Sequence, residues 1–437
     1  MKKYRNIIPI AMVMLILLSC YTIISNSAEE SSLYDNYLSE ARRYAENGIT
    51  KYAIESYNKA LEIEKTSEIF AEVADYYKNQ NDKNAYISWC EDFAETFPRD
   101  PVAYEFLLDA YTEDEDYTSI YDVLEVADKR GVTSEKIDKI KSDVRYVYSI
   151  DFSSYDDVGI YSSNYSAVKN EGRWGFVNCY GTSCIANRYV SVGSFTNSGK
   201  APVVTSNGEA YFIDKSDSKV IATKEKYKSF GLFADDIIPA QKDDGTYTYL
   251  DRDMNPLFGS YEYATTFNGG IAAVKDSSGW WFVDSSGQKM FGETYSDVKI
   301  DEEAIAFINE RAFVSENNGK YVMINNKGEK VGDMEFDDAL PFSGSGPAAV
   351  KLENNWCFVD SSGALVSDKK YEDARSFAWG MAAVQIDGKW GFVDTSENVV
   401  IEPQFSGAKD FNGKGSCFVL TGEKWQLLKL YRLNREG

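Results

Sequence analysis

The run KWGFVD at residues 389–394 is one copy of a unit that returns throughout the C-terminal two-thirds of the chain. Its tryptophan position is filled in turn by Trp174, Ala210, Tyr247, Trp280, Tyr321, Trp356, Trp390 and Trp425, spaced 33 to 41 residues apart. Six or seven residues before each lies a small-apolar strand: YSAVK, APVV, IIPAQ, IAAVK, RAFVS, PAAVK, MAAVQ and SCFVL. Earlier still stands an aromatic ladder at spacing three, as in Tyr371-Ala374-Phe377 and Phe405-Ala408-Phe411; the fifth copy keeps only Tyr295-Val298. A unit this short cannot bury a core by itself, so the copies must pack against one another.

Side chains alternate along a strand, so Trp390 and Phe392 share one face while Gly391 and Val393 share the other. Both faces are apolar in most copies, which requires a layer on each side. Small sheets stacked face to face provide such layers, and a closed, propeller-like ring is the preferred architecture. An open spiral of β-hairpins is the alternative. On this reading Trp174, Trp280, Trp356, Trp390 and Trp425 belong to the repeat core rather than to a ligand site. Trp281 and Trp379 fall outside the column and are the candidates for exposed binding aromatics. The Asp that ends most copies (Asp214, Asp251, Asp284, Asp360, Asp394) reads as the cap of a tight turn. Asp251, Asp253, Asn255 and Glu262 have the spacing of a calcium loop, but Pro256 stands where that loop needs its turn glycine.

From Leu33 to about Gly131 the apolar period is helical, and it also repeats. Tyr44, Tyr77 and Tyr111 are separated by 33 and 34 residues, and the same offsets join Ala53, Tyr86 and Ile120, then Ala60, Phe93 and Ala127. Polar breaks (ENGIT, NQNDK, EDEDY) split each unit into two helices. An amphipathic segment, Ser134 to Val147, is placed to cap the stack.

Composition narrows the chemistry. The 437 residues contain no histidine, so Ser-His-Asp, Cys-His and His-zinc sites are excluded. Lys plus Arg number 46 against 69 Asp plus Glu, a net charge of −23 that disfavours nucleic acid. A carboxylate-based glycoside hydrolase survives these exclusions, but no acidic pair is singled out for it. No catalytic, metal-binding or cofactor-binding residue is assigned, and no enzyme activity is expected. The chain opens with Lys2, Lys3 and Arg5, then an apolar run from Ile7 to Leu18. Of the five cysteines after Cys20, Cys179 and Cys184 flank the turn YGTS, and pairing across a hairpin or remaining as thiols are both open.

Three resemblances follow from these residues. Leu17-Leu18-Ser19-Cys20 resembles a bacterial lipoprotein signal, which implies lipidation at Cys20; retention of the longer apolar run from Ile7 to Ile24 as a spanning anchor and cleavage after Ala28 are the other outcomes. All three imply an extracytoplasmic protein, and the first two a membrane-anchored one. The helical period resembles tetratricopeptide (TPR) repeats. The three-column β pattern resembles the WG-repeat (KWG-type) family of bacterial proteins. The expected organisation is therefore α + β multidomain: a signal or anchor at 1–28, a TPR-like array at 33–150, and an eight-unit all-β WG-repeat domain at 155–437. The resemblance implies noncovalent binding, with a protein as the expected partner and a cell-wall or other glycan as the alternative.

Overall fold

The computed structural model describes residues 29–221, 225–344 and 346–431. Cys20 and the signal-type segment lie outside them. The chain divides into two compact units at Arg145/Tyr146. Among the described residues no helix is long and apolar enough to cross a membrane.

Among its described residues the first unit has seven helices: α1 (29–46), α2 (Thr50–Ile63), α3 (Ser67–Asn79), α4 (Lys83–Thr96), α5 (Pro101–Glu113), α6 (Tyr117–Arg130) and α7 (Glu135–Asp143). Their boundaries are chemical. Thr66, Asp82, Asp100, Asp116 and Ser134 each accept a backbone N–H of the first turn, and Pro101 opens α5. Gly131 ends α6 at φ 69, a left-handed conformation glycine adopts freely. Two of the three columns related by the 33- and 34-residue offsets are buried, Ala53, Tyr86 and Ile120 and then Ala60, Phe93 and Ala127, while Tyr44, Tyr77 and Tyr111 are half-buried. Consecutive helices from α2 to α6 pack on one another, and α7 packs on α5.

The second unit is a closed ring of eight antiparallel sheets, or blades, numbered here in chain order with strands a to d from the channel outward. Blade 7 shows the plan: a (Asp373–Ala374), b (Met381–Ile386), c (Lys389–Asp394) and d (Val399–Phe405). In blades 4, 5 and 6 the d position is reduced to isolated bridges such as Trp356↔Tyr371. The aromatic ladder spans two blades. Its first member pairs with the tryptophan column as the end of strand d (Trp390↔Phe405), and its alanine is strand a of the next blade (Gly407–Ala408). Thus the repeat in sequence is offset from the blade in space.

The offset dictates how the ring closes. Blade 8 has strands a (Gly407–Ala408), b (Ser416–Thr421) and c (Lys424–Leu430), and its d strand is Tyr148–Tyr155, drawn from the start of the unit. Residues 146–154 therefore belong to the ring and not to the helical unit, whose expected limit was 150. The open spiral is excluded, because Tyr155, Val158 and Val177 of the first-formed strands pack with Phe418 and Leu427 of blade 8.

Each interface between blades is a separate hydrophobic cluster, so every c strand is buried on both faces. Phe358, Trp356 and Ala349 of blade 6 face Ala374, Phe377 and Val384 of blade 7, while Cys357, Val359 and Ala348 face blade 5. A recurring contact locks the interfaces: the c-strand aromatic of one blade meets the last ladder aromatic of the next. Phe176–Phe195, Tyr249–Phe267, Phe282–Phe307, Phe358–Phe377 and Phe392–Phe411 all have centroids 4.6–4.9 Å apart and interplanar angles of 60–76°. The residue opposite on strand b is small there, as in Ala383↔Phe392 and Ala349↔Phe358. Blades 5 and 8 reverse the pair, Phe313↔Met323 and Phe418↔Leu427, and stack the b-strand ring nearly parallel on the next blade's aromatic.

Candidate functional site

The tryptophan column lies at the rim of these interfaces, next to the turns joining strands b and c. Trp280 and Trp356 are buried, whereas Trp174, Trp390 and Trp425 are half-buried. Lysines lie over several of the rings: Lys169 on Trp174, Lys275 on Trp280, Lys299 on Tyr321 and Lys409 on Trp425, at 4.2–5.7 Å. The glycine after the tryptophan is a matter of space, as its φ is not left-handed. A Cβ on Gly391 would stand 2.5 Å from the Ile401 carbonyl, and on Gly175 2.3 Å from that of Ile185. It is strand d's backbone, bulged at this point, that crosses so closely.

The centre of the ring is asymmetric. The residue following the a-strand Ala or Val position is Gly159, Gly193, Gly231 and Thr265 in blades 1 to 4 (with Phe230 before Gly231), but Lys299, Leu340, Arg375 and Lys409 in blades 5 to 8. The fifth blade also breaks the ladder. Val298 to Phe307 is nine residues where Ala339 to Phe342 is three, so six extra residues are inserted, yet Phe307 still reaches Phe282. The inserted loop crosses the channel. Glu302 takes Arg375 at 2.8 Å from blade 7 and Lys409 at 2.7 Å from blade 8. On the other side Thr266 of blade 4 donates its N–H to the Ala304 carbonyl and its hydroxyl to that of Glu303. Arg375 also binds Asp410 through Nε at 2.5 Å and Nη2 at 3.2 Å.

The loop thereby divides the channel mouth. A recess of about 540 Å³ opens beside blades 5 to 8, where Trp356, Trp390 and Trp425 stand near Lys299, Asp373 and Arg375. A second, of about 270 Å³, is walled by the glycines of blades 1 to 3 and by Glu302 and Glu303. Burial opposes ionisation of Glu302, but Arg375 and Lys409 outweigh it and hold the carboxyl below its usual range. Its neighbours have no such cations. Burial pushes the Asp301 carboxyl up to about 7 and raises that of Glu303.

Asp301 accepts the N–H groups of Glu303 and Ile305 at 2.9 and 2.7 Å, which fold the loop. Its unfolded value is near 3.9, so its contribution to stability is complete below that pH and is lost as pH rises through about 7. Asp301→Asn keeps an acceptor oxygen and removes the charge. The variant is expected to withstand more urea than the parent at pH 8 and the same at pH 4. An equal offset at both values would rule out titration of Asp301 as the cause.

The residues singled out in the sequence are spread over the ring. Trp281 is half-buried: its indole N–H donates to Asp276 at 3.1 Å, its ring meets Tyr261 edge-on, and Lys289 lies over it. It is not an open platform. Trp379 is 64% exposed, at the turn between strands a and b of blade 7. Both turn residues, Trp379 and Gly380, have positive φ, 53 and 78. The matching turns use Ser163-Asn164, Asp235-Asp236, Gly269-Gly270 and Asn309-Glu310, most of them residues suited to that conformation. A tryptophan there is strained by about 1–3 kcal/mol. One face of its ring covers Gly413, where any Cβ would clash at 2.7 Å.

Cys179 and Cys184 are not joined: both are free thiols, the first buried and the second exposed. The hairpin register explains this, because Val177 pairs with Ser183 and Phe176 with Ile185, so the two cysteines are never opposite. The Asp residues ending the c strands cap their turns. Asp251 Oδ1, for example, accepts from Asp253 N and Asn255 N, with Asn255 turned inward rather than toward an ion. Among the described residues no group of three or more His, Cys, Asp or Glu is placed to hold a metal. The helical unit has its own cavity of about 580 Å³ along α4, α5 and α6, lined by Glu91, Tyr104, Tyr111, Asp122 and Arg130.

Comparison with known proteins agrees with the β pattern. The family described as WG containing repeat matches residues 323–356, 358–390 and 390–425, so the chain carries WG repeats there. No curated protein matches the chain in sequence. Among solved structures, the computationally designed Ika8 protein is similar at 9% identity over 65% of this chain and 96% of that one, with a TM-score of 0.44. BamB from Moraxella catarrhalis gives 11%, 65%, 100% and 0.43, and the Dos1 propeller 12%, 66%, 95% and 0.40. The fold rests on the strand order above and not on these likenesses.

Proposed function

We propose that this chain is an exported, lipid-anchored, non-enzymatic interaction protein. In this reading Cys20 carries the lipid, the paired helices form a TPR-like array, and the array and the WG-repeat ring bind another envelope or extracellular protein. The observation that carries the binding role is Trp379. A large aromatic held exposed in a conformation that disfavours it is of the kind found at binding surfaces, and tryptophan is enriched at binding hot spots. Cross-linking on intact cells followed by mass spectrometry is expected to recover a specific protein with the parent chain. Recovery should fall at least tenfold with Trp379→Asn, a change that leaves Tm the same or higher because asparagine suits the turn. Equal recovery with both chains, or none with either, would overturn the assignment. Fatty-acid labelling that is lost in Cys20→Ser tests the anchor.

The same ring favours a second reading, because a flat indole backed by Gly413 offers its free face to a sugar. If glycan is the ligand, an insoluble-polysaccharide pull-down should retain the chain and Trp379→Asn should release it.

A further inference from the structure

The glycine-walled recess of blades 1 to 4 is one of the two openings that the channel loop leaves in the ring. Three consecutive blades place glycine where blades 5, 7 and 8 place lysine or arginine. Two of these glycines are fixed by packing: a Cβ on Gly193 or Gly231 would stand 2.8 or 2.4 Å from Pro202 or Pro239 of strand b. The recess is thus a built feature of this half of the ring. Its volume, about 270 Å³, suits a small group and not a folded domain.

Its chemistry is one-sided. Among the described residues no lysine or arginine lines it, although Lys169 lies over the Trp174 ring, while Trp174, Tyr247 and Tyr263 supply aromatic surface, with the two tyrosine rings 5.2 Å apart. The inserted loop adds Glu303 from across the channel. Adjacent carboxylates in that loop have opposite fates. Glu302 is matched by Arg375 and Lys409, whereas Oε1 of Glu303 is buried with no hydrogen-bond partner. Among the described residues no ion pair involves Glu303. A buried carboxylate without a cation is costly, and burial accordingly holds this one above its usual range, with Ser162 and Ser194 easing the shift.

We infer that this recess binds an ammonium group, as presented by a lysine side chain of a partner protein, with Glu303 as counter-ion and Trp174, Tyr247 and Tyr263 as its aromatic walls. The ligand supplies the cation that blades 1 to 3 omit, and a net charge of −23 draws basic partners toward the chain. Glu303 acts here as a charge in the wall of the site, held in place by the Thr266 contacts to its own and the next carbonyl.

This identification of the ligand rests on the interaction reading above, but its test does not need the partner. The full chain is titrated with Nα-acetyl-lysine methylamide, with the norleucine methylamide as the uncharged control, and followed by calorimetry and by ligand-observed NMR. Saturable binding of the lysine compound, no binding of the norleucine compound, and at least tenfold weaker binding by Glu303→Gln are expected. Circular dichroism confirms that the variant is folded. Absence of saturable lysine binding, equal binding of the control, or undiminished binding by Glu303→Gln would each overturn the proposal. Amine binding without a recoverable partner would count against the interaction reading alone, and the reverse against this site alone.

Discussion

A chain trimmed to begin at Asp156 is expected to lose the ring, while one beginning at Tyr146 keeps it. The two differ only in the strand that completes blade 8. That strand contributes five paired positions, the buried ring of Tyr155, and the half-buried Tyr148 and Ile150 against the blade 7–blade 8 cluster. Full burial of one aromatic is worth roughly 2–3 kcal/mol and the two partial burials about 1 kcal/mol each, so about 5 kcal/mol is removed. Domains have only about 5–15 kcal/mol in total. Truncation also exposes strand Lys424–Leu430 as an unpaired edge, which invites association between chains. Urea unfolding and light scattering of the two fragments would decide the matter. Equal midpoints and a monomeric short fragment would show that closure contributes little.

The second large effect separates the emblem of the repeat from its anchor. Phe392→Ala is expected to cost about 3–5 kcal/mol, as large-to-small changes at fully buried aromatics do. Phe392 is 1% exposed and meets Phe411 of the next blade at 4.8 Å. Trp390→Ala, two residues away on the same face, removes a half-buried ring at the rim and should cost about 1–2 kcal/mol. Denaturant midpoints at constant m-value measure both. A larger loss at Trp390 would mean that the rim, rather than the interface, holds the blades together.

The sequence was most legible where a position does the same task in every copy. An apolar c strand preceded by an apolar b strand returns in all eight copies, so periodicity alone points to stacked sheets with both faces buried. The ladder was visible, but not its division between strand d of one blade and strand a of the next, because spacing along a chain does not reveal where a sheet ends. For the same reason Tyr148–Ile150 read as the tail of the helical unit and 151–154 fell between the two units: a strand that closes a ring has its partner at Lys424–Leu430, beyond any local pattern. The channel loop was hidden differently. The broken fifth ladder was its signal, and the six extra residues before Phe307 show that a missing column member had been displaced and not lost. Trp379 stood out as irregular in sequence, yet its exposure and positive φ, neither visible there, separate it from Trp281, which looked equally irregular and is engaged by Tyr261 and Asp276.

Closing the ring with its own first strand also makes completion a matter of time. Asp151 and its blade 8 contact Gln426 are 275 residues apart, and at about 5–20 residues per second that is roughly 15–55 s of synthesis. Throughout that interval the earliest β-strand made has no mate, and blade 1 has no neighbour on one side. A ribosome that stops early leaves both surfaces open, so an unfinished chain of this protein displays its own incompleteness to any chaperone or protease that reads exposed edges.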